Sequence, residues 1–487
     1  MNFFIEIDTN STLPLYKKVA NALKESIDSG RLQEGNAVPS TRQLSVHLGV
    51  SRITVVQSYE QLISQGYLKV VTGTGTFVSR SRNSKITTNN VEQSKQTTTK
   101  ELSGYGNRLL VMHNQNESAL PETEFGLPPA ALLPLKQWLK LLVKHSSANS
   151  QLHRAQGALD SLGCLPLREA IANYLGRSRN INCSADSIAI FASAQHSVSL
   201  ILHLLLDPGD AVAVENPGFI CARKTISSIG AEPIAINIDS DGLIVQDLVS
   251  TAQKRAIRAA YVTPNRQDPL GVSLSLNRRH ELLNWARESS SYIIEDDYDC
   301  EYSYVFGQSS QALQSLDKDE SVIYLSSFWK LLYPIMPIGF LVAPPHLIPA
   351  LTQAKQLNEH AFSLPEQMAL AEFINEGLLE RHIGKTQKQL AKSRQELILA
   401  LTITFGQTIA IAKHSSGMHI VVQFNQANEE VISLAAKQAG LSLISTKSYY
   451  LTGKKQGEFL ISFANHLNHD IAEQVAIFGA VINNYSI

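Results

Sequence analysis

Cysteine is scarce in this 487-residue chain, and the four present, Cys164, Cys183, Cys221 and Cys300, stand apart with no C-x-x-C spacing. That argues against a disulfide framework or a thiolate zinc site and fits a reducing compartment. Long apolar runs are also missing, none reaching the roughly 18 residues of a membrane span. The opening MNFFIEIDTN holds Glu6 and Asp8 and no apolar stretch of leader length, so no targeting segment is expected there. Nor does one sign of charge dominate, since the formal net charge is −1. The distribution is uneven, however: the first 100 residues carry 12 Lys+Arg against 7 Asp+Glu, leaving −6 for the rest. A positive N-terminal end is the sign expected of a part that meets an anion. The length implies two or three domains, and a cytoplasmic protein with no membrane partner is expected.

Residues 13–79 read as three helices and a hairpin. LPLYKKVANALKESIDSGRL places Leu15, Val19, Ala22, Leu23 and Ile27 on one face at helical spacing, and SGR ends it. In PSTRQLSVHLGVSRITVVQSYEQLISQGYL a short helix begins near Thr41, turns at Gly49-Val50-Ser51, and a longer helix runs from Arg52, which is helix-turn-helix spacing. YLKVVTGTGTFVSR then supplies two β-branched strands around Gly73 and Gly75, a wing. Ser40 or Thr41 and Ser51 can cap helix N-termini, where free N–H groups suit phosphate. Arg52 and Thr54 open the second helix of the pair, the part of a recognition helix that reaches base edges. Taken singly, each of these is equally an ordinary cap or solvated charge.

The ensemble Pro39-Ser40-x-Arg42, Leu48-Gly49-Val50-Ser51-Arg52-x-Thr54-Val55, Tyr59, Leu62, Gly66-Tyr67-Leu68 and Gly73-x-Gly75-Thr76-Phe77-Val78 resembles the winged helix-turn-helix of GntR-type bacterial regulators. The resemblance implies a DNA-binding domain over residues 12–80, with DNA contacts from Arg42, Ser51, Arg52, Thr54 and Gly75. From about Arg80 to Glu122 the composition shifts to Ser, Thr, Asn, Gln and Lys, which reads as a flexible linker over 81–122.

Beyond residue 123 apolar strands alternate with helices. SIAIFA, DAVAVE, AAYVTP, SYIIEDD and SVIYLSS are strand-like, and NRRHELLNWARES is helical. Such alternation argues a mostly parallel sheet with helices on both faces, whose ligands gather beyond the carboxyl ends of the strands. Asp296 ends one strand and Lys330 follows another. The lysine sits in apolar company, in YLSSFWKLLYP, where holding a charge is costly. An acid and a lysine meeting at a sheet edge can be a plain ion pair. They are also the set a pyridoxal cofactor needs, an amine for its aldehyde and a carboxylate for its pyridine nitrogen.

AVENPGF, YVTPNRQDPLG, IIEDDYDCEY, ALQSLD and VIYLSSFWKLLYP, in this order behind the GntR-type head, resemble the MocR subfamily, in which the head is joined to a fold type I aminotransferase-like domain with a smaller C-terminal subdomain. The resemblance implies that Lys330 holds pyridoxal 5'-phosphate, Asp296 partners the pyridine nitrogen, Tyr298 and Asp268 lie near the phenolic oxygen and Phe219 stacks on the ring. It also implies that Ser327 and the turn at Ser193 and Ala194 receive the phosphate. Asp268 replaces an asparagine, and a carboxylate repels a phenolate unless one of them is protonated. Several positions break the pattern. Pro337 stands for the phosphate-clamping arginine, Trp329 for a serine, and a tyrosine expected near Ala158 is absent. Leu460, in FLISFA, stands for the arginine that grips a substrate carboxylate, which leucine cannot do. Cys221 replaces a second carboxylate-binding arginine of some members.

The reading is a homodimeric transcriptional regulator that binds a double-stranded operator. Residues 123–487 serve for dimerisation and for sensing a small molecule, the vitamer or an amine, with pyridoxal 5'-phosphate loosely held. Two alternatives stay open: a regulator whose cofactor site has decayed, and a working aminotransferase.

Overall fold

The computed structural model describes residues 5, 13–79, 101–114, 125–127, 130–147, 160–302, 304, 311–359, 363–412, 417–425, 428–464 and 470–485. Ala158, and residues 80–100 and 115–122 of the expected linker, lie outside them. The chain divides into two compact units, Met1–Lys100 and Glu101–Ile487.

In the first unit α1 (Leu15–Asp28), α2 (Thr41–Leu48) and α3 (Arg52–Ser64) precede the hairpin of β1 (Leu68–Val71) and β2 (Gly75–Val78). Both helices of the expected pair begin where a serine caps them. Ser40 accepts from Gln43 N while the Gln43 side chain accepts from Ser40 N, and Ser51 accepts from Thr54 N. The three helices and the hairpin close over Val19, Leu23, Leu44, Val55, Leu62, Leu68 and Val78. Tyr59 reaches across to donate to Pro39 O at 2.7 Å.

The second unit is built on an eight-stranded sheet in the order β3-β10-β9-β8-β7-β4-β5-β6. Its strands are β3 (Ile188–Phe191), β4 (Ala211–Asn216), β5 (Glu232–Asp239), β6 (Gly242–Leu243), β7 (Ala259–Val262), β8 (Tyr292–Asp296), β9 (Val322–Ser327) and β10 (Gly339–Val342). β5, β4, β7, β8 and β9 pair in parallel, whereas β10 runs antiparallel to both β9 and β3. The carboxyl ends of β3, β4, β7, β8 and β9 therefore share one edge, joined there by the amino end of β10. β3, β4 and β7 are buried throughout, as in a sheet covered on both faces. A second, antiparallel sheet, β11 (Ile409–Ile411), β12 (His419–Phe424), β14 (Glu458–Ser462) and β13 (Leu443–Ser445) in that order, forms the smaller subdomain.

The outward edge of β3 is finished by side chains. Lys355 Nζ donates to Ile190 O at 2.7 Å and pairs with Glu359 at 2.6 Å, and Glu359 in turn accepts from Ala192 N at 3.3 Å.

One expectation is corrected. Within the stretch read as a flexible linker, residues Gly104–Asn114 form a helix. Its apolar Leu109, Leu110 and Val111 are exposed, so burial does not explain it; Arg108 does, by donating to Ser228 O and Ile229 O, each at 2.8 Å. These two carbonyls end the helix Ile220–Ile229, where a cation is favoured. The linker composition gave no sign of a docking site 120 residues downstream.

Beneath the sheet edge lies a buried ion cluster. Arg179 donates to Asp297 and to Glu301, each at 2.6 Å, while Tyr324 and Asn265 also donate to Asp297 at 2.6 and 2.9 Å. Burial alone would raise the Asp297 pKa, but the Arg179 guanidinium and these donors hold it below the usual carboxylate range. Removing one partner leaves a buried charge uncompensated. Arg179→Ala is therefore expected to destabilise the second unit by about 3–5 kcal/mol, read as a lowered urea midpoint. An unchanged midpoint would mean that the cluster is not what holds this edge.

Candidate functional site

Phe219, Asp268, Asp296, Tyr298, Ser327 and Lys330 lie at or shortly after the carboxyl ends of β4, β7, β8 and β9. Lys330 lies in the short helix Trp329–Leu332 that follows β9. Its amine donates to Gly126 O at 3.1 Å and to Phe125 O at 3.4 Å, and among the described residues it forms no ion pair. Burial pulls its pKa below the lysine range and Arg266 pushes the same way, against the opposing pull of Asp299 and Asp268. The amine is thus biased toward its neutral, nucleophilic form.

Asp296, the last residue of β8, accepts from the Tyr261 hydroxyl at 2.5 Å. Burial, with Asp268 and Asp297 nearby, raises its pKa to about 7 despite that hydrogen bond. Phe219 caps the helix Ile220–Ile229 and stacks on Tyr261, ring centroids 6.5 Å apart and planes 20° off parallel. Tyr298 donates to Asp268 Oδ1 at 3.0 Å. Burial raises the Asp268 pKa, against the hydrogen bond from Tyr298 and the attraction of Lys330 and Arg266. Asp268 therefore takes up a proton more readily than a free aspartate, the condition under which a carboxyl tolerates a phenolate neighbour. Cys221 adjoins the same acids: burial, Asp268 and Asp296 push its thiol up to about 11.

Ser193 caps the helix Ala194–Leu205 by accepting from His196 N. Gly339, which begins β10 and sits opposite Ser327, lies so close to this turn that a Cβ on it would come within 2.6 Å of Ala194 N. Ser193, Ala194, Ser327 and Gly339 therefore converge at the N-terminus of the helix Ala194–Leu205, a place where anions bind. The donor set thus fits the ring half of pyridoxal 5'-phosphate: an amine, a carboxylate at a strand end and an aromatic face. For the phosphate half it offers hydroxyls and backbone N–H groups, but Pro337 and Trp329 bring no cation, and Trp329 instead packs its ring 4.3 Å from Tyr333.

Leu460, in β14, is buried with Phe125, Ile220, Val421 and Tyr449. An apolar wall therefore adjoins the Lys330 amine, which donates to the carbonyl of Phe125 as well as to that of Gly126. Several residues here escaped the sequence reading. Arg266 is fully buried, bonded to Asp299, donating to His419 Nδ1 at 3.4 Å and 5.5 Å from the Tyr298 ring. His419 passes a hydrogen bond to Pro269 O at 2.9 Å, and burial beside Arg266 drops its pKa to about 3, so it is neutral. The charged residues within NRQDPLG and EDDYDCE were the available signal; the pairing between them was not.

In the first unit Arg42, Ser51, Arg52 and Gly75 are exposed and Thr54 half-exposed. Ser51 and Thr54 hydroxyls bond each other at 2.8 Å, so both are partly spent on the cap. Gly75, at φ 136°, opens the second wing strand in a conformation that side chains disfavour.

A winged helix-turn-helix followed by a lysine–aspartate pocket on an aminotransferase sheet defines the class, and comparison with known proteins makes it specific. Residues 15–78 match the model of the bacterial regulatory proteins of the gntR family, and residues 126–477 that of aminotransferase class I and II. A Bacillus subtilis protein described as an uncharacterized HTH-type transcriptional regulator, YhdI, is 31% identical over 96% of this chain and 95% of its own. The probable rhizopine catabolism regulatory protein MocR of Rhizobium meliloti is 30% identical over 93% of this chain and 91% of its own. Among solved structures, Pyrococcus horikoshii kynurenine aminotransferase superposes with a TM-score of 0.67 at 25% identity, covering 80% of this chain and 97% of that one. The chain belongs to the MocR subfamily of GntR-type regulators, a winged helix-turn-helix joined to a fold type I aminotransferase-like domain. Among the described residues no helix is long and apolar enough to cross a membrane, and no acidic, histidine or cysteine cluster suits a metal ion.

The raised Asp296 pKa has a consequence for stability. Its folded value, about 7, lies above the ordinary carboxyl value, so the protonated form is favoured in the fold. Stability from this group is full below about pH 4 and is lost as pH rises through 7. In cofactor-free protein Asp296→Asn is therefore expected to raise the melting temperature at pH 8, by at most about 4 kcal/mol in free energy, and to change little below about pH 4. An Asn variant equally or less stable than the parent at pH 8 would show that Asp296 is not a desolvated acid.

Proposed function

We propose that this protein is a DNA-binding transcriptional regulator whose aminotransferase-like unit has been turned from catalysis to sensing. The observation that carries the proposal is a half-exposed Lys330 amine with a lowered pKa and a strand-end Asp296 carboxyl with a raised one, together with an apolar wall at Leu460. In this reading Lys330 holds pyridoxal 5'-phosphate, Asp296 keeps its pyridine nitrogen protonated and Phe219 covers one ring face. Tyr298 and Asp268 adjoin its phenolic oxygen, while Ser327, Ser193 and Ala194 receive the phosphate. When bound, the cofactor supplies an electrophilic carbon onto which another amine can exchange. Tyr261 and the Arg179–Asp297 cluster position Asp296, and the Arg266–Asp299 pair sets the field at the Lys330 amine.

Enzymatic turnover of an α-amino acid requires a grip on its carboxylate that tightens in the transition state. Leu460 and Cys221 offer none. The effector in this reading is accordingly the vitamer itself or an amine without that carboxylate. With Pro337 in place of a cation, the phosphate gains fewer charge-assisted hydrogen bonds, and the cofactor is held loosely. On the DNA side, affinity depends steeply on the number of phosphates neutralised, so two copies of the head are expected to act together as a homodimer.

Two measurements test this. The full-length protein, dialysed and then titrated with pyridoxal 5'-phosphate, is expected to develop an absorbance band at the visible edge that borohydride bleaches and Lys330→Ala abolishes. Amines should shift the band more than common amino acids do. Retention of the cofactor through dialysis, or rapid transamination of a common amino acid, would overturn the sensing reading, and a spectrum indifferent to Lys330→Ala would favour a decayed site. For the head, Arg52→Ala is expected to cost about 1–3 kcal/mol at one base position of each half-site. A loss of equal size on random DNA would make Arg52 a phosphate contact instead.

A further inference from the structure

The inner face of α3 is made by Val55, Ser58, Tyr59 and Leu62, all buried. At about 100° per residue, Ile53 and Gln57 fall on the opposite side, one turn apart, and both are exposed. Ile53 is 71% exposed in the first turn of the helix, between Arg52 and the capped Thr54. An isoleucine there adds nothing to the core, and its branched Cβ does not favour the helix. A polar residue would serve the fold as well or better. What the position offers is a bare aliphatic surface at the amino end of a recognition helix, flanked by the Arg52 guanidinium that draws this face to a polyanion.

In the major groove the apolar feature that base edges present is the 5-methyl group of thymine. We propose that Ile53 is a specificity residue that packs on a thymine methyl, so that each operator half-site carries a thymine at the step α3 covers. Gln57, one turn along the same ridge, then faces the neighbouring base pair. The proposal rests on the DNA-binding reading and adds to it a base preference and the group that reads it.

Deoxyuridine isolates the methyl, since it pairs as thymine does but lacks only that group. Duplexes bound by the full-length protein are selected from a random pool, and each thymine of the selected half-site is replaced in turn by uracil. At one position per half-site the substitution is expected to weaken wild-type binding about fourfold, the factor that one buried methyl corresponds to. Ile53→Ala, at an exposed site, should leave the melting temperature unchanged and bind thymine and uracil duplexes equally. Uracil tolerated at every position by the wild type, or a penalty that persists in Ile53→Ala, would overturn the assignment while leaving DNA binding intact. Failure to select any duplex would overturn the DNA-binding reading and this inference with it.

Discussion

The site depends on how one acidic strand end is folded. In IIEDDYDCEY five carboxylates fall within seven residues, Glu295, Asp296, Asp297, Asp299 and Glu301. Left together in a low-dielectric interior they would repel one another, and the pleat separates them. Glu295 and Asp297 point one way and Asp296 the other. Glu295 accepts from the backbone N–H groups of Leu313 and Gln314, each at 2.8 Å, while Asp297 is neutralised by Arg179. Asp299 is taken by Arg266 and Glu301 by Arg179. Among the described residues Asp296, like Glu295, forms no ion pair; it accepts from the Tyr261 hydroxyl. Glu295 is met by backbone N–H groups and Asp297, Asp299 and Glu301 by arginines, which leaves Asp296 on the opposite face with a hydroxyl as its partner.

This arrangement explains why much of the architecture was legible and some of the site was not. The helix-turn-helix could be read because its signals are local: Ser40 and Ser51 cap the helices they precede, and Gly49 takes the left-handed conformation that ends α2. The sheet could be read because strands buried on both faces are continuous apolar runs. Lys330 was legible as a lysine whose apolar surroundings demanded an explanation, and Asp296 as an acid at the end of a strand. Tyr261 was not, because a tyrosine in an apolar strand carries no mark of the acid it will meet 35 residues later. The Arg266–Asp299 and Arg108–Ser228 contacts escaped for the same reason. Each joins segments whose proximity exists only once the sheet has formed.

The second unit keeps the aminotransferase fold in two separable parts. Lys330 and Asp296 follow or end strands of the large sheet, whereas Leu460 lies in β14 of the smaller subdomain. Leucine at 460 packs with Val421 and Tyr449 and leaves the large sheet untouched.

The finished edge of β3 carries its own consequence. An outermost strand normally offers a row of bare amides to any passing polypeptide. Here the Lys355 ammonium and the Glu359 carboxylate occupy the Ile190 carbonyl and the Ala192 amide, in the places a ninth strand would fill. That border of the sheet is closed to extension by another chain. Molecules gathered side by side on a common duplex, at the high local concentrations such crowding brings, are thus denied one route to fusing their sheets into a fibre.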